Sequence, residues 1–125
     1  MTDACDAWSC LALEVATDGE ELLVPECIER LASRIRGVLE VELELTHAHR
    51  FEPFGFSLVA LGTSGRLAIH TWPEHRFATI DLWLGTSTFD ARRGDLAAML
   101  SAEGYRVTAE WLSHTNLRLP RLRRA

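Results

Sequence analysis

The chain has 125 residues, enough for one domain whose core needs neither disulfides nor a metal. Its hydrophobic share of 47% with 25% charged residues is ordinary for a soluble globular protein, and no stretch approaches the ~18 consecutive apolar residues of a membrane span. A net charge of −5 argues against a nucleic-acid surface, which needs clustered Lys and Arg. The small basic patch Arg118–Arg124 reads as a solvated chain end. Cys5, Cys10 and Cys27 are odd in number and lack CxxC spacing, the pattern of reduced thiols. The start, Met1 to Val15, lacks the basic end and unbroken apolar core of a signal peptide, so a cytoplasmic location is expected.

Trp8–Ala16 is an apolar run closed by Thr17-Asp18-Gly19, which predicts a strand and a turn. From Val24 the apolar positions Val24, Ile28, Leu31, Ile35 and Val38 recur at helical steps, with Pro25 in the first turn and Gly37 at the end. Glu40–Leu45 alternates with period two and predicts a half-buried strand with an acidic outer face. The runs Phe56–Leu61, Leu67–Ile69 and Phe77–Leu84, broken by Gly62–Arg66 and by Thr71–Arg76, predict a three-strand meander. Asp90 begins a second helix with Leu96, Met99 and Leu100 as its apolar stripe and Gly104 after it, and Tyr105–Leu112 alternates as a last strand. This order predicts a single-domain two-layer α/β sandwich, with a largely antiparallel sheet and the helices covering it.

The residues that could carry chemistry gather at the turns of the meander. His47 and His49 are two apart and would share a strand face, but no third ligand stands at a convincing spacing, so no metal is expected. Gly62-Thr63-Ser64-Gly65 lacks the spacing and the Lys of a phosphate loop. The pattern alone yields a polar cluster of Ser57, Ser64, His70 and Glu74, with Trp72-Pro73 as a rigid aromatic turn.

The string His49-Arg50-Phe51-x-Pro53-Phe54-Gly55-x-Ser57, then Ile69-His70-Thr71-Trp72-Pro73-Glu74 and Ala78-x-Ile80-Asp81-Leu82, resembles the small prokaryotic S-adenosylmethionine decarboxylases. The resemblance implies an α/β sandwich that dimerises through its sheet. It also implies self-cleavage at a Glu-Ser bond, which turns the Ser into a pyruvoyl group serving as electron sink for loss of CO2. By the same resemblance Ser57 and His70 match positions that assist processing and catalysis, and Phe51 matches an aromatic that stacks on adenine. Trp72 and Glu74 match the turn after the processing His, and Glu14 corresponds loosely to a Glu of the first strand.

Two departures set the expectation for function. The family's Glu-Ser-His falls on Ser64, Gly65 and Arg66, and its proton-donor Cys falls on Gly85. Glycine has no β-hydroxyl with which to form the ester or eliminate, so no pyruvoyl cofactor is expected. Arg66, in place of a His, would favour a carboxylate or phosphate over a sulfonium, or else point into solvent. Three functions remain open. The chain could be a non-processing homologue that keeps a pocket for S-adenosylmethionine or a related amine, as a binding protein or as a repurposed enzyme working through His70, Glu74 or Ser57. It could be an inactive paralogue that regulates an active partner by dimerisation. It could be an active decarboxylase in which Ser64 is the shifted precursor, although a one-residue slip on a strand turns a side chain to the other face. No membrane or nucleic-acid partner is expected, and the assembly expected is a homodimer or a heterodimer with an active paralogue.

Overall fold

The computed structural model describes residues 5–118, and their side chains from 7 to 115. Six strands form one sheet: β1 (Cys5–Ala16), β2 (Leu45–Arg50), β3 (Phe56–Gly62), β4 (Gly65–Trp72), β5 (Phe77–Gly85) and β6 (Arg106–Arg118). Their order across the sheet is β2-β3-β4-β5-β1-β6, and every neighbouring pair is antiparallel. Helices α1 (Pro25–Leu39) and α2 (Thr86–Ala102) both contribute to the core on one side of it.

Alternation along the strands explains why one face is covered and the other is not. Leu11, Leu13 and Val15 of β1, Leu58 and Ala60 of β3, Leu67, Ile69 and Thr71 of β4, and Ala78, Ile80, Leu82 and Leu84 of β5 are all buried. They meet Ile28, Leu31, Ile35 and Leu39 of α1 and Phe89, Leu96 and Leu100 of α2. Each such side chain taken fully out of water stabilises the fold by about 1.5–3 kcal/mol before entropy is counted. The in-between positions, among them Cys10, Ala12, Ser57, Val59, Ala68, His70, Thr79 and Trp83, are half-buried and look out from the open face.

The predicted element types and their order hold, while several boundaries move: β1 begins at Cys5, before Trp8, and β4 runs over Gly65–Trp72 into both predicted breaks. Residues 41–44 are not a strand; Leu43 is buried against the core and the ladder with β3 begins only at Leu45. Alternation there reports which side chain is covered, while a strand also needs a partner. Gly37 does not end α1, which runs on to Leu39 and is capped by Glu40 in the left-handed conformation. Helix α2 starts four residues before Asp90, because burial of Phe89 outweighs the weak helix propensity of Thr86-Ser87-Thr88. Strand β6 continues past Leu112 to Arg118, paired with β1 throughout. Of the basic tail, only the backbone of Arg118 falls within the described residues. Among the described residues no helix is long and apolar enough to cross a membrane.

Candidate functional site

Cross-strand register lays out the open face row by row. His49, Ser57, His70, Thr79 and Glu14 are successive partners across β2, β3, β4, β5 and β1, so their side chains stand in one line on one face. Ser57 Oγ and His70 Nδ1 share a hydrogen bond. Around His70 the aromatic rings close in: Phe51 at 5.4 Å and Trp72 at 4.2 Å between centroids, with Phe77 stacked on Trp72 at 4.8 Å. His49 meets Phe51 edge-on at 4.6 Å.

The loop that carries Phe51 is held in place by buried polar contacts. Phe51 N–H donates to Gly55 O, 2.9 Å, closing a turn between β2 and β3. The Phe56 N–H donates to Thr71 Oγ1, 3.0 Å, and Thr71 is fully buried. Thr71 thereby fixes the loop to β4 one residue from His70, and the imidazole and the ring of Phe51 keep their spacing. A cleft of about 220 Å³ opens on the other side of this loop, against Val24 and Pro25 at the start of α1. Phe51 belongs to both, while Ser57 and His70 do not line the cleft.

Of the residues singled out from sequence, Ser57, His70, Phe51 and Trp72 are therefore together. Glu14 is on the same face and row as His70 but two strands away, about 10 Å at 4.8 Å per strand. Its carboxylate accepts a hydrogen bond from Thr108 Oγ1, 3.3 Å. Glu74 sits exposed in the 3-10 turn Pro73–His75, just past Trp72. Ser64 and Arg66 are elsewhere, at the β3–β4 hairpin. Six extended residues separate Ser64 from His70, about 20 Å.

At that hairpin the register pairs Gly62 with Gly65, leaving Thr63 and Ser64 as the two turn residues. Gly65 has φ +144°, a conformation that side-chain-bearing residues rarely adopt. A Cβ there would fall far inside van der Waals contact of the Trp83 carbonyl oxygen. A serine precursor does not fit this backbone. Gly85, by contrast, has φ −59° and open space where a Cβ would stand.

Two features escaped the sequence reading. Cys10, distant in sequence from position 85, is its near neighbour in space: β1 runs beside β5 with Cys10 opposite Trp83 and Trp8 opposite Gly85. Burial pushes the Cys10 thiol up, Asp81 pushes it further and Arg66 pulls partly back, so the thiol form prevails near neutrality. The second is a Ser-His contact on the covered side. Ser9 Oγ is 2.7 Å from His114 Nδ1 and 3.0 Å from Thr86 Oγ1, tying β1, β6 and the start of α2 together. Ser9 is 2% exposed, which makes this a structural contact. Only long-range pairing, β1 with β5 and with β6, could have revealed either.

The fold and this face define a two-layer α/β sandwich with a Ser-His pair and an aromatic cluster at one end of an uncovered antiparallel sheet. The chain matches the S-adenosylmethionine decarboxylase family over residues 9–109 and belongs to that family. Similar proteins include S-adenosylmethionine decarboxylase proenzymes of Clostridium botulinum, 28% identical over 59% of this chain and 64% of the relative, and of Thermodesulfovibrio yellowstonii, 32% identical over 58% and 57%. The match thus spans less than two thirds of these relatives. In fold, the adenosylmethionine decarboxylase of Aquifex aeolicus superposes with a TM-score of 0.67 over 97% of this chain and 98% of that one, at 21% identity.

Proposed function

We propose that this family member binds S-adenosylmethionine or a related amine at the Ser57–His70 end of its open face, and does so without converting a serine to pyruvoyl. The observation that carries the proposal is the contrast between the two ends of the face. At one end the Ser57–His70 hydrogen bond and the rings of Phe51 and Trp72 form a packed polar-aromatic cluster, and Phe51 also lines the neighbouring cleft of about 220 Å³. At the other, position 65 holds a glycine in a backbone that excludes the precursor's side chain. Phe51, exposed and lining the cleft, offers its ring to an adenine, and Ser57 and His70 are the polar groups nearest to it. Should a reaction take place, His70, hydrogen-bonded to Ser57, is its acid or base.

The open face also favours a dimer. Leu45, Leu61 and Trp111 project from it at 63%, 42% and 59% exposure, an apolar surface of the kind that marks an interface. The same surface serves a heterodimer with an active paralogue.

Intact mass and isothermal calorimetry test the proposal together. A single species near 14.0 kDa that binds S-adenosylmethionine, with binding lost in Phe51→Ala, is the expected result. Two fragments broken at Thr63–Ser64 would restore the decarboxylase reading through Ser64. An uncleaved chain that binds no such ligand would leave the regulatory paralogue.

A further inference from the structure

The hairpin end of the open face holds a second constellation. A cavity of about 250 Å³ is lined by Cys10, Val59, Leu61, Arg66, Asp81 and Trp83. Arg66 and Trp83 are direct partners across β4 and β5, and the guanidinium lies over the indole ring, 4.8 Å from its centroid. Asp81 belongs to the next row, opposite Ala68, and is therefore the diagonal neighbour of Arg66, with Cβ atoms about 7 Å apart. Arg66 and Asp81 nevertheless do not pair. Among the described residues no carboxylate comes within ion-pair distance of Arg66, whereas Arg34, Arg92, Arg93 and Arg106 each have one. The contact with Trp83 places the guanidinium over the indole, and among the described residues its N–H groups have no hydrogen-bond partner on the protein.

We propose that Arg66 and Asp81 form a zwitterion-binding subsite, Arg66 taking the carboxylate and Asp81 the ammonium of an α-amino acid whose stem lies on Trp83, Leu61 and Val59. The two side chains line one cavity without pairing, so each is free to make a charge-assisted contact of about 2.8 Å to a ligand that fills it. Both charges are needed to fill it, and this sets selectivity. A phosphate meets Asp81 as a like charge, and an amine without a carboxylate leaves the Arg66 fork unpaired and faces its repulsion.

The chemistry points the same way as the turn beside it. A decarboxylase gains rate by making the carboxylate of its substrate less stable relative to the transition state, whereas a guanidinium clamp stabilises that carboxylate in the ground state. Arg66 is thus suited to retaining an amino acid, next to a position 65 that lacks the group needed to decarboxylate it.

The subsite rests on the reading that the chain keeps a small-molecule pocket, and calorimetry on the full chain separates the two. The probes are S-adenosylmethionine and its decarboxylated form, each titrated into the parent and into Arg66→Gln, a change at an exposed side chain. The expected result is at least a tenfold preference of the parent for the carboxylate-bearing probe. Arg66→Gln should lose tenfold or more toward that probe and bind the other as well as the parent does, or better. Parent binding of both probes that Arg66→Gln leaves alone, or weakens equally, overturns the subsite while the pocket stands. A parent that binds neither probe overturns both.

Discussion

Restoring serine at position 65 should not restore the family's chemistry; it should damage the hairpin. In Gly65→Ser the new Cβ meets the Trp83 carbonyl, a backbone atom that cannot swing aside, in a residue whose φ of +144° already disfavours any side chain. The conformation costs about 1–3 kcal/mol and relief of the clash by strand movement costs about as much again, so a loss of about 3 kcal/mol is expected. At roughly 4 °C per kcal/mol for a domain of this size, Tm falls by about 10 °C. Scanning calorimetry reads the loss, and intact mass after prolonged incubation reads any cleavage. Gly85→Ser is the internal control. Its Cβ enters open space at the N-cap of α2, where serine is favoured over glycine by a few tenths of a kcal/mol, so its Tm should hold or rise slightly. A Gly65→Ser protein that melts with the parent, or that appears as two fragments split directly after Ser64, would refute the reasoning.

Other expectations follow from single contacts. Thr71→Val keeps the shape at a fully buried position but orphans the Phe56 N–H; about 1–3 kcal/mol should be lost in denaturant melts, and affinity for an adenine-bearing ligand should fall as Phe51 loosens. Trp111→Asp puts a charge on the most exposed aromatic of the open face and should abolish, without unfolding, the dimer proposed for that face; sedimentation velocity of parent and variant reads it, and a monomeric parent refutes the proposed dimer. Tyr105 is the chain's single tyrosine, and burial, with smaller contributions from Cys27 and Glu103 against Arg30, raises its pKa to about 12, with the hydroxyl donating to Leu22 O at 2.8 Å. The folded state therefore keeps a proton that the unfolded chain gives up from about pH 10, and stability should fall between pH 10 and 12 by about 2–3 kcal/mol. Tyrosinate absorbance should report a folded midpoint near 12, and Tyr105→Phe should flatten that part of the stability profile; a midpoint near 10 would contradict the burial.

Much was legible in the chain itself. Short apolar runs set off by Gly, Ser and Pro mark β3, β4 and β5, and helical spacing from Ile28 to Ile35 marks α1, because burial against one core leaves its pattern in the sequence. That position 65 holds a glycine, which has no β-hydroxyl, was equally plain without coordinates. What the chain alone could not supply is anything set by pairing between distant segments. β1 runs between β5 and β6, placing Cys10 beside position 85, Glu14 in line with His70, and Ser9 against His114. What lies against Arg66 could not be read from sequence, since only the β4–β5 register puts Trp83 beneath it and Asp81 on its diagonal. Local sequence determines which face of each strand is apolar. Which side chains then share that face depends on strand order and register, which only the packing of the whole sheet against its two helices decides.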